Sequence, residues 1–268
     1  MRNIPTVKRK IQRLVTQAGI YHNPSLGLIS LSSDGESWIT IADKNLWATE
    51  VWNVWDELTN ANCGNYYQWW NNYWFPWPEW PNPTISNVKV DTTWYWPWNY
   101  YSSDIFRTRL NFNDLDRSSV SNDNLWWDVT NTLESRRWPC EEWFHIPTKL
   151  EFDNMWNIFS SFWITTATDI SRYLKSPLCW SIYSVNGITL NIGECWYFCS
   201  SSCFSTSTWN FTYVFSFETW EDEWDDGINY WDEWAISSTW KMSAYSIRPF
   251  KNTPAIPDST RTVLYQPS

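Results

Sequence analysis

Apolar and polar positions alternate in Leu28-Ile29-Ser30-Leu31 and again in Trp38-Ile39-Thr40-Ile41, with the turn text Ser32-Ser33-Asp34-Gly35 between them. A period of two bounded by turn formers predicts a β-hairpin. From residue 53 to residue 137 the text is polar, aromatic and turn-forming with no helical period, which predicts a long, loop-dominated region. Loops of that size are usually functional or held by their own packing. The pattern then changes at Pro147-Thr148-Lys149-Leu150-Glu151. Thr148 is placed to cap a helix, and Glu151, three residues on, to return the hydrogen bond as a capping box. Leu150, Phe152, Met155, Trp156, Phe159 and Phe162 follow at steps of three and four and make one apolar face that should pack on a sheet. A shorter helix is predicted from Asp169 to Lys175, ended by Pro177. β-like runs follow at Ser181 to Val185, Ile188 to Ile192, Phe211 to Phe217 and Ala244 to Phe250. Hairpin, long loops, helices and returning strands in that order read as an α+β, loop-rich fold with small antiparallel sheets and one or two helices.

Composition changes this picture at one residue type. The 268 residues hold 26 Trp and 7 Gly, the reverse of ordinary usage, in which glycine runs at about 7% and tryptophan is among the rarest residues. Many of these tryptophans stand in loop-like, charged or proline-rich text where an indole has nothing to bury against. In Trp94-Tyr95-Trp96-Pro97-Trp98-Asn99 and Glu221-Asp222-Glu223-Trp224-Asp225-Asp226 the neighbours are turn formers or carboxylates, and glycine suits both settings. Certain bacteria read the UGA codon as glycine and others as tryptophan. Translation with the second table would put Trp at one subset of glycines and leave the rest intact. By context, glycine belongs at positions 47, 70, 74, 77, 94, 96, 98, 127, 138, 143, 163, 180, 196, 209, 220, 224, 231, 234 and 240, and more loosely at 52 and 55. Trp38, Trp69, Trp80, Trp126 and Trp156 remain as tryptophans. Glycine then rises to about a tenth of the chain, an ordinary figure for a loop-rich domain. The competing reading is a chain that is truly rich in tryptophan.

Length and uniform composition favour one domain. A formal net charge of -10 and a pI near 4.7 disfavour nucleic acid, whose binding needs clustered Lys and Arg. No run of 18 apolar residues is long enough to span a membrane. Residues 1–18 carry Lys8, Arg9, Lys10 and Arg13 without the apolar core of a signal peptide. Either the protein is cytosolic or an export signal lies upstream of Met1. Six cysteines permit up to three disulfides in an oxidising compartment, with the connectivity left open. That number leans towards an extracellular or cell-surface location.

With glycine restored, four strings stand in order. Residues 43–49 become Asp-Lys-Asn-Leu-Gly-Ala-Thr. Tyr67-Gln68-Trp69-Trp70-Asn71-Asn72 becomes Tyr-Gln-Trp-Gly-x-Asn. Cys140-Glu141-Glu142-Trp143-Phe144-His145-Ile146-Pro147-Thr148 becomes Cys-x-x-Gly-Phe-His-Ile-Pro-Thr, and Ser246-Ile247-Arg248 forms a closing strand. Together they resemble the FISUMP family, the Fibrobacter major paralogous domain. The family has a C-type lectin fold related to that of formylglycine-generating enzymes and of retroelement-diversified bacterial binding proteins. The resemblance covers about Gly27 to Asn252. It implies a C-type lectin-like domain over residues 23–252, preceded by an N-terminal segment (1–22) and followed by a Pro-containing tail or linker (253–268). It also implies a display scaffold that binds a protein or glycan ligand rather than one that catalyses a reaction. One departure is Phe198-Cys199-Ser200-Ser201-Ser202, which puts Cys199 where the family often has Trp.

Ser205, Ser207, Asn210, Tyr213 and Tyr230 are the candidate ligand contacts, because small polar and aromatic residues are the mix that binding surfaces use. The same text also suits an ordinary exposed strand and turn. Eight carboxylates between Glu218 and Glu233 offer oxygen ligands on a turn, as calcium requires. The candidate calcium ligands are Asp222, Asp225, Asp226 and Asp232. The stretch does not match an EF-hand loop, and a solvated acidic loop is the commoner account of such runs. Cys195, Cys199 and Cys203 lack the C-x₂-C spacing of a zinc site, so disulfides or buried thiols fit them better. His145, just before the helix cap, is read as structural, and no catalytic residue is assigned. The alternatives are an enzyme akin to the formylglycine-generating group and a structural surface-layer component.

Overall fold

A computed structural model describes residues 17–54, 56–68, 74–75, 89–91, 105–107, 139–177, 179, 181–182, 189–190, 195–205, 210–222, 229–241, 243–254 and 262–265. The alternating text forms β2 (Leu28–Ser32) and β3 (Ile39–Ala42), paired antiparallel from Leu28 opposite Ala42 to Leu31 opposite Ile39. The turn between them is held by Asp34, whose Oδ1 accepts from the amides of Glu36 and Ser37 and from Ser32 Oγ. Those donors hold its carboxyl down at about 2. Ile29, Leu31 and Ile41 enter the core, while Ser30 and Thr40 hydrogen-bond across the other face.

This hairpin is the middle of a six-stranded sheet. Its order is β15 (Thr262–Tyr265), β1 (Gly19–Asn23), β2, β3, β14 (Phe250–Lys251) and β7 (Phe144–His145). Two boundaries expected from sequence therefore cut through one sheet. β1 begins at Gly19, inside the segment read as N-terminal to the domain. β15 lies inside the segment read as a tail and pairs with β1. Tyr265 docks on Phe162 with ring centroids 4.8 Å apart.

The second sheet is built on two long strands, β11 (Asn210–Asp222) and β12 (Asn229–Trp240), in continuous antiparallel register. β10 (Cys195–Ser205) pairs with β11 and touches β13 (Ala244–Ser246) in parallel. β13 in turn pairs with β8 (Ser181–Ile182) and with β4 (Tyr66–Gln68), and β9 (Thr189–Leu190) closes the edge. A separate parallel pair joins β5 (Lys89–Asp91) to β6 (Ile105–Arg107). The molecule is α+β, with small, mainly antiparallel sheets.

Helices pack where the 3.6-residue period leads. The short α1 (Asn60–Cys63) is followed by α2 (Lys149–Ser161) and α3 (Ala167–Leu174). The capping box at Thr148 and Glu151 forms as the text predicts. α2 buries Phe152, Met155, Ile158 and Phe159, and Phe152 stacks on Phe215 of β11 at 5.3 Å. Leu150, expected on the buried face, is instead 66% exposed, because it precedes the stripe by half a turn. α3 starts at Ala167, two residues before the expected position, since Thr166 accepts from the amide of Asp169 and caps it. The Ser200–Ser202 bulge of β10 docks on the start of α2. Ser201 donates to Pro147 O, and Ser202 Oγ accepts from the Lys149 amide.

Four non-glycine residues among those described take positive φ, and three of them are Trp47 (64°), Trp143 (70°) and Trp163 (59°). The fourth is Lys175 (50°). Trp163 occupies the C′ position of a Schellman motif. Its amide bonds Ser160 O, the next amide, of Ile164, reaches back to Phe159 O, and Ile164 and Phe159 both enter the core. Glycine is the usual occupant of that position, because a Cβ there crowds the following carbonyl. Trp47, Trp143 and Trp163 are 58%, 65% and 90% exposed. Trp38 and Trp156, by contrast, are half-buried, the first against Tyr21 and the second on the core. Trp52 is buried and donates its indole N–H to Asp56 O, which suits a tryptophan at that looser position.

Candidate functional site

The register separates the candidate contacts that the sequence groups together. Ser205 and Asn210 face each other at the end of the β10–β11 ladder. Tyr213 lies three positions from Asn210 along the same strand, which puts it on the opposite face of the pleat. It lies beside α2, with Lys149 Nζ 5.6 Å from its ring centroid. Tyr230 pairs with Glu221 at the other end of the hairpin, on the order of 35 Å along the strand from Asn210 at a rise of about 3.3 Å per residue. Ser207 lies outside the described residues. These positions do not converge on one patch.

The acidic stretch also departs from its expected form. Residues 218–222 and 229–233 are paired strand rather than turn. Asp222 pairs with Asn229, and Asp232 with Thr219, so their register positions fall on opposite faces of the ribbon, which does not suit shared ligation of one ion. Asp225 and Asp226 lie outside the described residues. His145 bridges three segments of the chain. Its Nε2 bonds Glu151 Oε1 at 2.7 Å and its Nδ1 bonds Asn252 Oδ1 at 2.8 Å, tying β7 to α2 and to the chain after β14. Burial raises the Glu151 carboxyl, but the bonds from His145 and Thr148 outweigh it and hold the group below its ordinary value.

The polar groups that do converge lie on the loop after β3, in the string Asp43 to Thr49. Its backbone is committed at nearly every step. The Asp43 amide bonds Gly27 O, the Leu46 amide bonds Ile247 O, Leu46 O accepts from the Asn65 amide, and the Ala48 amide bonds Asn45 O. Gly64 presses against the same loop, and a Cβ there would lie 2.6 Å from Leu46 O. This loop forms one wall of a cleft of about 320 Å³, completed by Leu26, Gly27, Glu141, Phe144 and Pro249. Asp43 and Asn45 line it, and each is 2% exposed.

Both residues are half-satisfied. Asp43 Oδ2 accepts from His22 Nε2 at 2.9 Å, and Asn45 Nδ2 donates to Cys63 O at 2.9 Å. The Oδ1 atoms of Asp43 and Asn45 have no hydrogen-bond partner among the described residues. Gly27, at φ +66°, faces the first of them, and a Cβ there would come within 3.4 Å of Asp43 Oδ1. Behind the carboxylate lies Arg248, fully buried. It donates to Ala42 O and Lys175 O and bonds Ser176 Oγ, with its guanidinium 5.2 Å from the Phe198 ring centroid. Burial pulls that guanidinium down to about 9, and the charge of Asp43 opposes the shift. Sequence reading places Asp43 and Asn45 only inside a family string. The available signal was an Asp and an Asn just before a position that needs left-handed backbone.

The described cysteines differ in access, and Cys203 is half-buried. Cys63 and Cys179 form a disulfide. Cys140 and Cys199 are free and buried, and burial raises both thiols, Cys199 to about 12. Among the described residues no helix is long and apolar enough to cross a membrane. No family model, no curated protein and no solved structure matches the chain.

Proposed function

We propose that the chain is a non-catalytic ligand-binding module of an exported or surface-displayed protein, with a C-type lectin-like fold of the FISUMP type and glycine at positions 47, 143 and 163. The cleft after β3 carries the binding role. It places two buried side-chain oxygens without partners beside apolar walls, and buried acceptors are otherwise paired in the great majority of cases. A cavity with apolar lining and a few fixed polar groups is the usual form of a ligand site. The family reading is supported by two of its own strings. Positions 47 and 143 are the ones at which those strings require glycine, and both adopt left-handed backbone. Export is supported by the Cys63–Cys179 disulfide, since such bonds persist in oxidising compartments.

A cysteine enzyme related to the formylglycine-generating group fits less well. A nucleophilic thiol needs a lowered pKa and access, whereas burial raises the thiols of Cys140 and Cys199. A melting-temperature screen against soluble glycans and peptides tests the reading. The expected result is a ligand that raises Tm, is recovered chemically unchanged, and binds equally well to Cys140→Ala and Cys199→Ala variants. Turnover of that ligand, abolished by either substitution, would overturn the binding role in favour of the enzyme.

A further inference from the structure

We infer that Cys199 and Cys203 form a redox-responsive pair, which a small-molecule disulfide oxidises into a bond across the bulge of β10; the cleft and its binding role are not involved. The ladder brings the two residues together. Cys199 stands opposite Val214 and Cys203 opposite Thr212, so four steps along β10 match two along β11. Residues directly opposite share a face of the sheet, and so do residues two apart on a strand, which puts both cysteines on one face. Val214 and Thr212 are about 6.6 Å apart at a rise of about 3.3 Å per residue. The cysteines span the same stretch of ladder, inside the Cα separation of about 4.4–6.8 Å that a disulfide bridges. Thr212 links them in space. Its Oγ1 is 3.8 Å from Cys199 Sγ, and it is the ladder partner of Cys203. Both cysteines pack in the cluster of Tyr67, Val214 and Tyr245.

The residues between them are already gathered into a loop. Ser200 Oγ donates to Ser202 O and accepts from the Ser202 amide, and Thr212 Oγ1 lies 3.3 Å from both Ser200 O and Ser202 O. The same bulge anchors α2 through Ser201, which donates to Pro147 O, and through Ser202 Oγ, which accepts from the Lys149 amide. A bond between Cys199 and Cys203 fixes that anchor covalently. Cys195 is placed differently. It lies four regular ladder steps before Cys199, about 13 Å along the strand and beyond the reach of a disulfide. Access sets the order of reaction, because Cys203 is half-buried while Cys199 is buried, with its thiol pushed up to about 12. Cys203 Sγ, as the thiolate, attacks one sulfur of the small disulfide, expels the first small thiolate and is left in a mixed disulfide. Cys199 Sγ then attacks the Cys203 sulfur and expels the second. The two thiol protons go to the two leaving thiolates, so the protein loses two hydrogens and two electrons and the oxidant gains them.

Peptide mapping of the full chain after incubation with oxidised glutathione tests the pair. Remaining thiols are alkylated in denaturant before digestion with chymotrypsin, which cuts after aromatic residues. Phe198 and Phe204 bracket a peptide that holds Cys199 and Cys203 and no other cysteine. That peptide is expected to be unalkylated and about 2 Da lighter than its dithiol form, and to carry two alkyl groups when dithiothreitol precedes alkylation. Cys140→Ser should leave this result unchanged, and Cys203→Ser should abolish it and leave Cys199 alkylated. Hydrogen exchange at the Ser201 and Lys149 amides should slow about tenfold on oxidation, since the loop that anchors α2 then opens less often. Cys199 alkylated after oxidation of the parent chain, or joined to Cys140, would overturn the pairing. A light peptide that forms only after urea has unfolded the chain would overturn it as well. A bond that forms and leaves both exchange rates unchanged would contradict its hold on α2.

Discussion

Three tryptophans hold the backbone in the conformation that L-residues with large side chains avoid most. A non-glycine residue in the left-handed region costs roughly 1–2 kcal/mol, because its Cβ crowds the following carbonyl. At position 163 the surrounding structure demands that conformation, since the Schellman bonds of α2 and the burial of Ile164 both depend on it. The indole gains little in return at 90% exposure. Trp163→Gly is therefore expected to raise the unfolding free energy by about 1 kcal/mol, read from urea midpoints at constant slope. Trp156→Gly should lower it, because that ring packs on the core and sits inside a helix. Equal destabilisation by both changes would contradict the distinction. Positions 47, 143 and 163, where the backbone is left-handed, are among those that context marked for glycine. The burial of Trp52 was not legible, since the bond from its indole to Asp56 O depends on how that loop folds back.

Elements with strong local signals form where the pattern puts them. The hairpin of β2 and β3 and the capping box of α2 are set by residues within a few positions of one another, so a linear reading finds them. β10 and β12 were missed for the opposite reason. Their text is rich in Ser, Cys, Asp, Glu and Trp, and their pairing is fixed by β11 across the sheet rather than by alternation. The same long-range pairing turned an expected acidic loop into strand and split the expected ligand contacts between two ends of a hairpin. At the start of α2, Glu151 serves Thr148 and His145 together. Its folded pKa is lowered, so the stability it contributes is full above the ordinary carboxylate value of about 4.3 and fades as pH falls through the lowered one. Glu151→Gln should cost about 1–2 kcal/mol at neutral pH. It should also flatten the acid limb of a stability profile taken by urea melts between neutrality and strong acid. An acid limb as steep as that of the parent would show that Glu151 is not a source of it.

At the scale of the molecule, the chain is closed by contacts between residues far apart in sequence. β15 returns to β1, Arg248 links the loop after β3 to the end of α3, and the disulfide joins α1 to the segment after α3 across 116 residues. None of these could be read from local text, and the tail in particular has the proline content of a linker. Closing a loop of that length should contribute on the order of 4–5 kcal/mol in the chain-entropy description. A Cys63→Ala, Cys179→Ala double variant should lower the urea midpoint accordingly and leave near-native circular dichroism in water. No change in the midpoint would mean that the bond is not formed in solution. The proposed family reading presupposes a backbone free to turn left at positions 47 and 143, and the end of α2 requires the same at 163. Peptide mass spectrometry of the protein isolated from its native source measures this directly. Residue masses of glycine at those three positions are the expected result, and residue masses of tryptophan there would contradict the account.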